Sequence, residues 1–209
     1  METVAQKIKD ISRAVYRARF AIVTVASVYL VSVLAGIIMV HYGNTFALNY
    51  RDQLVGNAVK NDAVMAAKFK NEKFKAAMLD FAGNLVIGSI PKTLMGIGIV
   101  FPYPWVAYQG WVGGIVSVRG DHSSRLNSCR SAIYYLLTLV LQIAGYSLTV
   151  GAGVNVGISL FKPLPDYREE KLIRFFPKEA LRDMVRIYIL AAPIFLIGSL
   201  WEFLSSWNI

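Results

Sequence analysis

Residues 20–40 form a run of 21 residues without one charged side chain. At about 1.5 Å per residue, a helix over that run covers roughly 30 Å, the thickness of a bilayer's hydrocarbon layer. A segment apolar on every side for that length commits the chain to a membrane. Lys7, Lys9, Arg13, Arg17 and Arg19 precede it. This lead-in has the form of a signal peptide, but the run is too long for one and no small-x-small cleavage pattern follows. The expectation is an uncleaved anchor with its amino terminus in the cytoplasm. Composition agrees, since 56% of the 209 residues are hydrophobic and only 17% charged, against about a quarter charged in soluble domains.

The net charge of +9 would suggest nucleic acid in a soluble protein. Here the 22 basic residues lie mostly between apolar runs, where lysine and arginine set topology and touch anionic lipid. Membrane lipid, including anionic lipid, is therefore the expected partner, and nucleic acid is not. The single cysteine, Cys129, allows no intrachain disulfide and no cysteine-cluster zinc site, and His41 and His122 stand far apart. No metal and no cofactor is expected.

Further runs extend the pattern. Residues 81–118 hold one ionisable side chain, Lys92, and are too long for one span and sufficient for two. The sequence Phe101-Pro102-Tyr103-Pro104-Trp105 predicts the hairpin between them, because prolines remove backbone donors and the aromatics suit the headgroup region. Residues 131–161 carry no charge. The last run, 187–204, bears Glu202 and a kinking Pro193. The spacing of Leu54, Ala58, Met65, Phe69 and Met78 among lysines predicts an external amphipathic helix over 41–80, and residues 162–186 predict short cytoplasmic amphipathic helices. The expected fold is thus a single all-α transmembrane bundle of five spans, 20–40, 81–100, 104–118, 131–161 and 187–204, with its amino terminus inside and its carboxyl terminus outside. This arrangement puts 12 basic residues on the cytoplasmic side against nine outside, whereas one crossing by 81–118 would reverse the balance to eight against 13.

The order of these segments resembles the stage II sporulation protein M family of prokaryotic membrane proteins. Phe81-Ala82-Gly83-Asn84 matches a second span opening with asparagine, and Gln109-Gly110-Trp111-Val112-Gly113-Gly114 is similar to the family's third-span Asn-Gly-x-x-x-Gly element, with glutamine for asparagine. Ile197 to Phe203, bearing Glu202, resembles the glutamate-bearing end. Where the family commonly carries His-Gly-x-x-Glu, this chain reads Ser131-Ala132-Ile133-Tyr134-Tyr135-Leu136. The resemblance implies a multi-pass protein of the prokaryotic cytoplasmic membrane that acts as a scaffold for other membrane proteins and has no enzymatic chemistry of its own. A sporulation role is not implied, because relatives occur in prokaryotes that make no spores.

A polar side chain within a span costs free energy unless paired, which singles out Asn84, Lys92, Gln109, Gln142 and Glu202. Counting depth along the spans sets Asn84 level with Glu202, predicting a hydrogen-bonded clasp, and sets Lys92 near Gln109 and Gln142. Lys92 is either a protein-facing lysine satisfied by those amides and by carbonyls freed by Pro91, or a site for an anionic headgroup or substrate. Gly110, Gly113, Gly114, Gly145, Gly153 and Gly157 are expected at helix contacts, the last two at small-xxx-small spacing. Ser89-Ile90-Pro91-Lys92 has the bare Ser-x-x-Lys spacing of some acyl enzymes, but their companion motifs are missing, as are a phosphate loop, His-Glu-x-x-His and Gly-x-Ser-x-Gly. No catalytic residue is assigned. The leading expectation is a non-enzymatic scaffold assembling with other membrane proteins, copies of itself included. The alternative is a transport permease or channel subunit with a polar path around Lys92.

Overall fold

The computed structural model of the protein describes residues 4–162, 171–172 and 176–207, without the side chains of 171, 172 and 176. These residues fold as helices: α1 (Val4–His41), α2 (Thr45–Asn61), α3 (Ala63–Phe69), α4 (Lys73–Ala82), α5 (Ile90–Gly96), α6 (Pro102–Ile115), α7 (Cys129–Phe161) and α8 (Lys178–Leu204). A π-helical stretch, Gly83–Ser89, joins α4 to α5, and a two-residue antiparallel pair sets Lys171–Leu172 beside Phe176–Pro177. Helices α1, α7 and α8 are long and apolar enough to cross a membrane. Phe20, Val23, Leu30, Val31, Leu34 and Ile38 of α1 stand exposed, an apolar surface that water would not tolerate at this extent and lipid does.

Small residues decide how the long helices meet. The buried side of α1 reads Ala14, Ala18, Ala21, Val25, Tyr29, Val33, Gly36 and Val40, every third or fourth position and hence one stripe. Its contact with α6 leaves no room for side chains: a Cβ on Gly110 would lie 2.5 Å from the Tyr29 carbonyl oxygen, and one on Gly114 would strike the Val33 carbonyl. The middle of α7 is closed in on all sides, with every residue from Gly145 to Gly157 buried. Three helices press on it there. Ile22 of α1 abuts Gly151, Thr93 of α5 abuts Gly153, and the Phe195 ring of α8 lies over Gly145. With no hydrophobic force to drive association in lipid, such backbone approach maximises dispersion contact.

These contacts also fix chain direction. Tyr103 meets Thr24 (3.0 Å) and Gly110 meets Tyr29, so α6 runs beside α1 in the same sense. Tyr135 donates to the Gly113 carbonyl (2.8 Å), which reverses α7 relative to α6. Arg17 pairs with Asp183 at one end of the bundle, while the Trp201 indole donates to the Tyr134 carbonyl at the other, so α8 runs with α1. Residues 73–96 descend beside α7, through Asn84 with Tyr146 and Thr93 with Thr149.

Three local expectations are corrected. Residues 41–80 form three helices rather than one, because Asp62 closes α2 and its side chain accepts from the Val64 N–H to start α3, and Asn71, at φ 60°, ends the next turn. The hairpin falls at 97–101, one turn earlier than the prolines suggest: Pro102 and Pro104 open α6, where a missing N–H costs nothing, and the reversal puts Ile99 at φ 60°, costly for a β-branched residue. Helix α8 begins at Lys178, so the second part of 162–186 is a continuation of the last long helix. The rest of that predicted amphipathic segment lies largely outside the described residues.

Candidate functional site

The π-helical stretch sets the geometry of the polar groups. Pro91 offers no N–H and its ring would collide with the carbonyl four residues back; widening the coil over Gly83–Ser89 relieves both. The widened coil holds Asn84 against α7, and α5, which follows it, sets Lys92 against α6.

Lys92 donates through Nζ to Oε1 of Gln109 (2.5 Å) and lies 4.6 Å from the centroid of the Tyr146 ring, a cation–π contact. Among the described residues no carboxylate reaches it. It sits in a groove of about 450 Å³ between α5 and α6 whose other walls are Ile87, Pro91, Met95, Trp105 and Val112. Val86, Ile87, Leu94 and Trp105 around it are exposed, so the groove opens sideways from the bundle.

Asn84 does not take Glu202 as its partner. Its amide nitrogen donates to Asp80 (2.9 Å) and its oxygen accepts from the Tyr146 hydroxyl (2.6 Å). Ser199 of α8 donates to the same Asp80 oxygen (2.6 Å). Depth counting brings the right helices together with the wrong side chains: one turn before Asn84, Asp80 is on the same face and closer to α8. Glu202 and Gln142 join Asp80 and Asn84 around a cavity of about 10 Å³. Gln142 therefore faces these carboxylates rather than the Lys92 groove. A polar line thus runs Ser199, Asp80, Asn84, Tyr146 to the Lys92 and Gln109 pair. Towards the other end of the bundle the next polar contacts are those of the Thr93 hydroxyl, with the Ser89 and Thr149 carbonyls (2.9 and 3.0 Å) and the Tyr188 hydroxyl (2.6 Å), and beyond them Ile97 lies backbone to backbone against Gly157.

Of the predicted glycines, Gly110 and Gly114 touch α1, Gly113 faces Leu139 of α7, Gly145 faces Phe195, and Gly153 and Gly157 touch α5 and the residue after it. Ser89 is fully buried and its hydroxyl is met by that of Thr149 (3.3 Å), while Lys92 points to Gln109. The acyl-enzyme spacing places no base on the serine. Among the described residues there is no cluster of three or more histidine, cysteine or carboxylate side chains able to hold a metal.

Sequence reasoning misses three participants. Asp80 lies just outside the apolar run, Tyr146 reads as apolar, and Ser199 is unremarkable in a helix; only the Asp80 to Asn84 spacing carries a signal. It also misses the lock at the Arg17 end, where Arg17 makes two 2.6 Å bonds to the two oxygens of Asp183, whose side chain is fully buried, and Arg186 adds a bond of 2.9 Å. No protein-family model, curated protein or solved structure matches this chain.

Proposed function

We propose that this chain is a non-enzymatic assembly subunit of a prokaryotic cytoplasmic membrane complex, a five-pass bundle with its amino terminus in the cytoplasm, which receives a transmembrane helix of another protein in the groove beside Lys92. The observation that carries this reading is Lys92 itself: an ammonium in an apolar groove open to the side, held by an amide and a ring but by no carboxylate among the described residues. An intramembrane cation without a counter-ion is costly, and an acidic side chain on a passing helix would complete it by charge complementarity.

The alternating direction of α1, 73–96, α6, α7 and α8 supports five passes, as does the positive-inside count. Helix α6 is short, at 14 residues about 21 Å, and α2 lies over its end, with Ala47 packed on Val40, Ile115 and Val118, Phe46 stacked on Trp111 and Tyr50 tilted against the same ring. The resemblance to the stage II sporulation protein M family points the same way.

A photo-crosslinking side chain at Val112, on the groove wall, tests the reading in native membranes. The expected adduct is with a second membrane protein, at a helix position next to an aspartate or glutamate, and it disappears in Lys92→Leu. Adducts with lipid alone would contradict it. The polar line from Ser199 to Lys92 favours a second reading, a permease subunit. Reconstituted vesicles in which solute or proton flux depends on Asp80 and Lys92 would favour that reading over assembly.

A further inference from the structure

At the end of the bundle where α1 terminates, a second pocket of about 300 Å³ opens between α2, α3, α6, α7 and α8. Its charged lining is Arg51, Lys68 and Arg125 against one carboxylate, Glu202. Arg51 is 6% exposed; it bonds Asp52 (2.8 Å) and the Val118 carbonyl (3.3 Å), and its Nε, buried, meets no acceptor. The Nε atoms of Arg119 and Arg125 are likewise buried without an acceptor. Arg125, held on a single 3-10 turn by its backbone bond to Ser117, has no side-chain partner among the described residues. Burial first, and then the nearby Arg51 and Arg119, push its pKa below the usual arginine value, while the neighbouring tyrosines oppose the shift. Two guanidinium groups, Arg51 and Arg125, thus line the pocket, and Arg119, bonded to Ser131 (3.4 Å), stands near Arg125 outside the lining.

We infer that this pocket is a binding site for a phosphate group. Guanidinium forks from different elements match an oxyanion that accepts in several directions, and a phosphate has the charge to offset their mutual repulsion. Arg51 on α2 and Arg125 on the 125–127 turn supply donors, and Lys68 on α3, its Nζ 6.0 Å from the centroid of the Phe203 ring, adds a charge. The phosphate belongs either to a lipid headgroup or to a free anion, and both present the same chemistry. This site is separate from the Lys92 groove and stands without the assembly reading.

The test uses the full chain in an uncharged detergent, stripped of bound lipid. Its Tm is followed as inorganic phosphate is titrated at constant ionic strength, and as a short-chain phosphatidylglycerol is titrated against a diacylglycerol of the same chain length. A saturable rise in Tm is expected, shifted to about tenfold higher concentration or more in Arg125→Gln. A response to inorganic phosphate identifies a free anion, and a response confined to the phospholipid identifies a headgroup. Arg125→Lys, which keeps the charge but loses the fork, should lie between parent and Arg125→Gln. Without phosphate, Arg125→Gln should melt no lower than the parent, because it removes a repelled cation. No saturable response to either probe, or responses equal in parent and Arg125→Gln, would overturn the site.

Discussion

Asn84 serves an acceptor and a donor at once, Asp80 and Tyr146, and both bonds lie within the bundle. Interhelical hydrogen bonds of this kind contribute about 0.6 kcal/mol on average and up to about 1.7. A double-mutant cycle on Asn84→Leu and Tyr146→Phe, read by thermal stability in detergent, should give a coupling in that range, whereas Asn84→Leu with Glu202→Leu, which share a small cavity but no hydrogen bond, should couple less. Coupling in the second cycle and none in the first would restore the pairing suggested by depth alone. The Arg17 and Asp183 pair matters more to stability. Asp183→Asn leaves a guanidinium that is only 14% exposed without its main carboxylate, at a cost of roughly 3 kcal/mol, the low end for a broken buried pair because Glu179 remains 3.6 Å away. Unfolding of the variant at the parent's denaturant midpoint would contradict this. Asp183 is hidden from sequence reading because a lone aspartate in a charged stretch looks solvated; only the crossing of α1 and α8 buries it.

Among the elements, close crossings depend on glycine only where a neighbouring backbone occupies the space. A Cβ on Gly153 would collide with the Thr93 carbonyl, so Gly153→Leu should loosen α5 from α7 and lower stability by about 1–3 kcal/mol or more. Gly56, inside α2, has nothing within 4 Å of an added Cβ. Gly56→Ala should therefore stabilise by roughly 0.5–1 kcal/mol, the ordinary helix-interior difference. If the two substitutions shifted Tm equally, the packing account would be wrong. The glycine crowding of α7 is legible in the sequence because small residues have few other uses in a long span. Which helix fills each gap is not, since α1, α5 and α8 offer similar apolar faces. The breaks at Asp62 and Asn71 escape periodicity for a different reason: a short helix keeps the apolar spacing of a longer one, and only the capping side chain marks its end.

At the scale of the whole molecule, the apolar runs make an all-helical membrane chain legible, and α1, α7 and α8 have the length and apolarity to span. The two further passes proposed for 73–96 and α6 are harder to read because the first segment is interrupted by the π-helical stretch and the second is only 14 residues long. Their crossing decides whether Lys92 lies at mid-depth, on which the assembly reading rests. Cys129, exposed at the first turn of α7, reports it directly. With five passes and the amino terminus inside, this thiol stands on the outer face. A membrane-impermeant maleimide applied to intact cells should label the unaltered protein without permeabilisation. Labelling that appears only after the membrane is opened would put Cys129 in the cytoplasm, reduce 81–118 to one crossing or a re-entrant loop, and contradict the account.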